Sequence, residues 1–192
     1  AEKLAGISLK LFDKISVNSN LMKRSISSRF SINESKIEVL PLFVDTDHFK
    51  PLSTHNIIRT RYEIPEDQPL ILYVNRIEKL KGMQFLLEAT AEVLKTKKAH
   101  LLVVGNGSFL PEAIKLTDNL GIKHVTRFIG EVTRDELHQI YCAADIFVNP
   151  SLDEGYSHVI LEAASCGKAI IGVDHPILRE EFAINGTNLV MC

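Results

Sequence analysis

At 192 residues, 45% hydrophobic and 24% charged, the chain has the make-up of a globular protein with enough apolar material for a sizeable core. Its length suits one full domain together with a piece of another. A formal net charge of −2 excludes the global basic field of a nucleic-acid binder; no apolar run approaches the ~20 residues that span a bilayer.

The chain opens in helix-like sequence with neither Met nor a charged-then-apolar leader, which sets the expectation of a fragment. Ile15–Val17 and Ile37–Leu40 read as strands flanking a helix over Asn20–Phe30, and Pro41 to Pro51 forms a polar and aromatic connector. One strand–helix–strand unit cannot bury its own core, so residues 1–52 are expected to be the tail and connector of a preceding domain. From Leu70 a rhythm begins of short apolar run, loop and amphipathic helix. The runs are Leu70–Val74, Leu101–Val104, Val125–Ile129, Ile146–Val148, Ala169–Val173 and a last one near Leu189–Met191. They are near-continuous in aliphatic residues, as strands covered on both faces must be. In Gly82–Lys95, Phe85, Leu86, Ala89, Val93 and Leu94 recur at helical spacing, and Lys95, Lys97 and Lys98 close the stretch as a solvated helix end. Thr133 with Glu136 makes a capping box that opens a helix to about Cys142. Strand–helix alternation of this length predicts an α/β fold, a doubly wound parallel, Rossmann-like sheet over residues 53–192.

Cys142, Cys166 and Cys192 stand far apart with no C-x-x-C pair, which predicts neither a disulfide framework nor a zinc site and fits a reducing, cytoplasmic setting.

The most informative stretch is N-P-S-L-D-E-G-Y-S-H-V-I-L-E-A-A-S-C-G, residues 149–167. It follows a buried strand, breaks at Pro150 and enters a helix near Ser157, at the carboxyl edge where open α/β sheets bind ligands. The amides of Ser157, His158 and Val159 and the helix dipole favour an anion such as pyrophosphate, and Gly155 admits close backbone approach. Glu162 stands in the helix Val159–Cys166, which is apolar around most of its circumference, so the helix is expected to be buried on several sides and the carboxylate needs a partner. A ribose or sugar hydroxyl supplies one solution; an Arg or backbone N–H, paired for structural reasons, supplies another. Arg76 and Lys81, in the loop after the first strand of the rhythm, are placed to neutralise a diphosphate, or are ordinary loop cations. Gly105-Asn106-Gly107-Ser108 resembles the start of a dinucleotide fingerprint, but Leu110 takes the third glycine's place; it serves better as a tight turn beside a nucleotide. Asp45-Thr46-Asp47 has the D-x-D form that holds a divalent metal on nucleotide sugars elsewhere, yet it sits in the connector, away from the phosphate features. No histidine pair has ligand spacing; His158 is singled out for its place beside the anion site, or as a simple helix cap.

Together these pieces resemble the retaining glycosyltransferases of the GT-B fold, specifically glycosyltransferase family 4. Glu154 and Glu162 enclose seven residues, as in that family's E-x7-E signature, and N-R-I-E-K-L-K-G is similar to its G-R-L…K-G. V-G-N-G-S, F-I-G-E-V…D-E-L…Y…A-A-D-I-F-V-N-P-S and the connector V-L-P-L-F-V-D-T-D-H-F-K-P fall in the family's order. The resemblance implies the C-terminal, donor-binding half of the fold with a remnant of the N-terminal half. It implies that Arg76 and Lys81 grip the donor diphosphate and that Glu162 meets the ribose. Glu154, with the amides near Tyr156–Val159, would meet the donor sugar and phosphates, and the backbone after Phe128, at Ile129, would lie near the base. Catalytic roles would fall to Glu154, Arg76 and Lys81. The implied reaction moves a sugar from a UDP-, GDP- or ADP-linked donor to a glycan, lipid-linked or small-molecule acceptor hydroxyl, with retention and with no cofactor or obligatory metal. Peripheral membrane contact would fall to the part of the protein outside this chain. Asn75 replaces the family's usual Gly, Ser157-His158 a common glycine-containing pair, and Leu42-Phe43 a usual Asn-Gly; the first two bear on sugar and phosphate contacts and leave the donor open. A fragment of this kind is expected to bind a nucleotide and to transfer nothing alone. Two alternatives stand beside this one: an inactive nucleotide-binding or scaffolding module, and an epimerase or phosphorylase on the same fold.

Overall fold

The computed structural model describes residues 2–52, 56–152, 157–176, 179 and 189–191. Eight strands and seven helices are used below: β1 Ile15–Val17, β2 Ile37–Val39, β3 Leu70–Val74, β4 His100–Val104, β5 Thr126–Gly130, β6 Ile146–Asn149, β7 Ala169–Gly172 and β8 Leu189–Met191, with α1 Glu2–Leu11, α2 Asn20–Phe30, α3 Asn56–Arg61, α4 Met83–Leu94, α5 Leu110–Asn119, α6 Arg134–Ala143 and α7 His158–Ser165.

β1 and β2 form a two-stranded parallel sheet, and β3–β8 a six-stranded one in the order β5-β4-β3-β6-β7-β8. Every pairing is parallel. All five residues of β3 and all five of β4 are buried, which is why Leu70–Val74 and His100–Val104 are unbroken by exposed polar positions. The sheet has a core on each face. Phe49, Ile58, Leu72, Tyr141, Phe147 and Ile160 belong to one, beside α3, α6 and α7; Tyr73, Met83, Leu87, Leu101, Val103 and Ala113 belong to the other, beside α4 and α5. That is the doubly wound arrangement. β1, α2 and β2 enclose a smaller core of Val17, Ile32 and Ile37.

Several local expectations shift. The buried stripe of α4 is Met83, Leu86, Leu87 and Thr90, whereas Phe85 is 48% and Val93 41% exposed. MQFLLEATAEVL carries apolar residues on two neighbouring stripes, and the direction of the sheet decides which is covered. Only half of the capping box forms. Thr133 accepts from the Glu136 amide at 3.3 Å, while the Glu136 carboxylate turns to Arg61 Nη1 (2.5 Å) and the Tyr62 hydroxyl (3.2 Å). Tertiary ion pairing outcompetes the local reach-back. Val125 belongs to a 3₁₀ turn, so the strand there begins at Thr126. α1 and α3 are helices that periodicity did not delimit. Lys95, Lys97 and Lys98 are exposed, as a solvated helix end should be.

The beginning of β3 is fixed by a buried cation. Arg59, 7% exposed, donates to the carbonyls of Pro65 (2.9 Å) and Gln68 (3.0 Å) and to Asp145 Oδ2 (2.7 Å). The same carboxylate oxygen accepts from the Leu70 amide at 2.7 Å. Arg59→Met should therefore cost about 2 kcal/mol, a value held down because the Asp145 carboxylate is half solvated. A melting temperature lowered by roughly 4–8 °C, read by circular dichroism, is the expected result; an unchanged melt would refute the anchoring role.

Candidate functional site

β3 and β6 are neighbours, but the chain leaves β3 toward β4 and β5 and returns to β6 on the other side. The gap between their carboxyl ends is the topological switch point, the place where open α/β sheets hold ligands. Two loops meet there. The loop after β3 carries Asn75, Arg76 and a 3₁₀ turn over Lys79–Lys81, and ends at Gly82. The loop after β6 runs through Pro150 and Ser151 toward α7. The Leu152 amide donates to the Leu80 carbonyl at 3.0 Å. A Cβ on Gly82 would stand 2.0 Å from the Pro150 carbonyl oxygen. The loop that carries Arg76 and Lys81 thus packs directly on the segment that follows β6.

The loop after β4 joins from the other side. Ile77 N donates to the Asn106 carbonyl (2.8 Å) and Phe109 N to the Ile77 carbonyl (2.9 Å). Ser108 gives its hydroxyl (2.5 Å) and its amide (3.2 Å) to the Glu78 carboxylate, which holds that acid below its ordinary value. The missing side chains of Gly105 and Gly107 face backbone, not open space: Cβ atoms there would stand 2.0 Å from Asn75 O and 2.4 Å from Ile77 O. The glycines at this turn are required first for loop-on-loop packing. Gly105 and Asn106 nevertheless line a groove of about 310 Å³ with Asn75, Arg76, Glu131 and Val132. Arg76 also lines a second cleft, of about 560 Å³, with Lys79, Lys81 and Ser108. Arg76 is exposed and Lys81 half-buried.

Phe128 and Ile129 are half-buried on β5, and they pack against opposite cores. The residues that line the groove come just after them, Glu131 and Val132, with Leu137 of α6. Periodicity could not name these; position at the carboxyl end of β5 could. A cavity of about 860 Å³ is at the opposite, amino end of the sheet beside Lys98, His100 and Ile122, away from the switch point.

α7 starts at His158 with Ser157 at its N-cap. Ser157 is buried, and its hydroxyl accepts from Asn149 Nδ2 at 3.3 Å, which fixes the helix start to the end of β6. First-turn amides such as those of His158 and Val159 have no acceptor within their own helix, and groups of that kind suit an anion. Glu154, Gly155 and Tyr156 lie outside the described residues. α7 is less enclosed than expected: Ile160 and Ala163 are its buried residues, while Val159, Leu161 and Glu162 are half-buried. One side of the helix meets the sheet, and the other is turned away from it.

Glu162 finds a partner that sequence reasoning did not offer, the Tyr141 hydroxyl of α6, donating to Oε2 at 2.9 Å. Burial pushes the carboxyl above its ordinary value of 4.5, while the Tyr141 bond, with the fields of His158, Arg134 and His48, holds it back. A group raised in the folded state contributes stability below its unfolded pKa and loses that contribution as pH rises through the folded one. Glu162→Gln should accordingly gain in stability relative to the parent chain as pH rises through and above 4.5. Urea midpoints at a series of pH values read this directly; a difference that does not vary with pH would contradict it.

The connector's D-x-D is an anchor. Asp45 Oδ1 accepts from the amides of Asp47 (3.2 Å) and His48 (3.1 Å), and Oδ2 from Arg134 Nη2 (3.1 Å). The His48 amide contributes most to holding Asp45 below its ordinary value. Phe49, 2% exposed, then enters the core under α6 and α7. Cysteines distant in sequence come together in the fold. Cys142 and Cys166, 24 positions apart, are both buried, and their sulfurs lie within 4.8 Å of each other and of a His138 ring nitrogen. Cys192 lies outside the described residues.

Among the described residues no helix is long and apolar enough to cross a membrane. The family model described as glycosyl transferases group 1 matches residues 55–191. A D-inositol 3-phosphate glycosyltransferase of Kineococcus radiotolerans is 31% identical over 169 residues, which cover 83% of this chain and 39% of that protein. The chain thus spans about two fifths of the length of the curated relatives it matches. Among solved structures, Anabaena Alr3699/HepE in complex with UDP and glucose superposes with a TM-score of 0.85 at 19% identity, covering 99% of this chain and 53% of that one. The C-terminal domain of a glycosyl transferase group 1 family protein (LpcC) from Francisella tularensis gives 0.64 at 25% identity, covering 78% and 80%.

Proposed function

The chain belongs to the glycosyl transferases group 1 family, and from that premise we propose that the whole protein transfers a sugar from a nucleoside diphosphate sugar to an acceptor hydroxyl, this chain supplying the donor site. The observation that carries the reading is the loop contact at the switch point, where the Arg76–Lys81 loop is hydrogen-bonded through Leu80 to Leu152 on the segment that follows β6. When the bond between sugar and diphosphate breaks, negative charge builds on the departing phosphate. Arg76 and Lys81 supply fixed positive charge for it, and the α7 amides of His158 and Val159, with Ser157 before them, supply oriented dipoles. Such groups act without reorganising as the charge develops, which is how preorganised electrostatics lowers a barrier.

The remaining roles belong to the same proposal. Glu162, with Tyr141 bound to Oε2, offers its other oxygen to a ribose hydroxyl. The groove lined by Gly105, Asn106, Glu131 and Val132 receives the base. Glu154 meets the donor sugar together with the backbone from Gly155 to Val159. Transfer proceeds with retention, the mark of glycosyltransferase family 4, and without a metal, since two side-chain cations and a helix terminus carry the neutralisation. Residues 1–52 form the tail of the acceptor-side domain and the connector, and the protein works in the cytoplasm. The relatives named D-inositol 3-phosphate glycosyltransferases make a phosphorylated polyol the first acceptor to test.

Calorimetry with UDP, GDP and ADP in EDTA tests the donor site. One of the three is expected to bind the folded chain in the absence of metal, and Asp45→Ala should leave that binding intact. No binding of any of them would overturn the proposal in favour of a scaffold. A requirement for Mn²⁺ lost in Asp45→Ala would restore the metal-dependent reading. The anomeric configuration of the product made by the full-length protein, read by NMR, tests retention.

A further inference from the structure

α6 and α7 converge on three soft donors. His138 and Cys142 are four residues apart on α6 and so project from one face; Cys166 follows the last turn of α7. One ring nitrogen and the two sulfurs all lie within 4.8 Å of one another. Each residue is at least nine-tenths buried, with exposures of 9%, 2% and 1%. Beside them is the Lys50 carbonyl of the connector, 2.7 Å from His138 Nε2 and 3.3 Å from Cys142 Sγ.

We propose that His138, Cys142 and Cys166 form a structural zinc site that clamps α6, α7 and the connector together, with the Lys50 carbonyl oxygen as the fourth donor. The residue types are those zinc takes, imidazole nitrogen and thiolate sulfur. Charge balance favours this buried position, because Zn²⁺ with two thiolates and a neutral imidazole carries no net charge into the core. Binding releases two protons, one from each thiol, and the imidazole coordinates through a nitrogen freed from the Lys50 carbonyl, which turns to the metal. Hydrogen bonding explains two of the three groups without a metal, since His138 and Cys142 both reach Lys50 O. It leaves the Cys166 thiol facing the Cys142 thiol, a weak pair where an apolar side chain would pack as well. The site lies close to the donor machinery: Tyr141 precedes Cys142, and Glu162 is one helical turn before Cys166. Because the donors are enclosed, the metal is taken up as the chain folds.

Metal analysis of the chain purified from zinc-supplemented cells should give about one zinc per molecule, with two protons released on loading of the refolded apoprotein. Cobalt in its place should produce a thiolate-to-metal charge-transfer band. Cys142→Ser with Cys166→Ser should lower zinc to under about a tenth of an equivalent, while Cys192→Ser should leave it unchanged. Circular dichroism of Cys166→Ala, a smaller and apolar replacement, checks that lost zinc is not lost folding. A folded parent chain with under about a tenth of an equivalent and no cobalt band refutes the site, as does zinc retained by the double variant. None of these readouts depends on nucleotide binding, so the clamp and the donor site stand or fall separately.

Discussion

Gly82→Ala is expected to lower stability by about 3 kcal/mol and to remove nucleotide binding with it. Two costs add. Gly82 has φ +73°, a region that costs an alanine about 1 kcal/mol. The new Cβ would also stand 2.0 Å from the Pro150 carbonyl oxygen, a backbone atom that cannot swing aside like the end of a side chain. One of the two loops must then retreat. The seam being pushed apart is the contact that brings Lys81 beside the approach to α7, so damage to stability and to the site should appear together. Gly121 provides the control: its φ is +70°, but nothing lies within 4 Å of where its Cβ would be. Gly121→Ala should show the conformational cost alone, about 1 kcal/mol, with nucleotide affinity unchanged. Thermal melts of both variants decide the matter. At roughly 2–4 °C per kcal/mol, the Gly82 variant should melt about 6–12 °C below the parent. Equal shifts in the two variants would mean that the loop seam carries no weight.

Removing both cations, in Arg76→Ala with Lys81→Ala, should weaken the best-binding nucleoside diphosphate by at least about 100-fold. Each charge-assisted contact to phosphate contributes about 1.5–3 kcal/mol, or roughly one to two powers of ten in affinity. The single variants should each lose about 10-fold or more, and the loss should shrink for the nucleoside monophosphate, which presents less charge to the same cleft. The two residues need not contribute equally. Arg76 lines both the 560 Å³ cleft and the 310 Å³ groove, whereas Lys81 lines only the first. Arg76→Ala is therefore expected to affect base preference as well as phosphate affinity. Titration calorimetry at fixed salt measures both. Affinity unchanged in the double variant would remove the cations from the donor site and with them the electrostatic account of the reaction.

How much of this was legible beforehand follows from which forces act locally. The apolar runs of β3 and β4, residues 70–74 and 101–104, announced a sheet covered on both faces, because a strand with no solvent side has little room for polar residues. Order along the chain likewise placed Arg76, Lys81 and Ser157–Glu162 in loops and first helical turns after strands, where parallel sheets bind ligands. Those conclusions need only periodicity, turn chemistry and chain order. Strand order, by contrast, is a long-range property. That β6 returns beside β3 rather than extending past β5 is what brings together two loops distant in sequence. The same holds for each partner the sequence withheld. Tyr141 reaches Glu162, Glu136 leaves its own helix for Arg61, Asp45 anchors to Arg134, and Cys142 meets Cys166. Side-chain chemistry says that a buried carboxylate or thiol needs company; packing of one helix against another chooses the companion. For this protein the sequence by itself determined the class of sheet and the edge at which the proposed donor site lies. The tertiary structure alone decided which loops close that site and which side chains hold them, because these contacts are made between segments that only the folded sheet brings together.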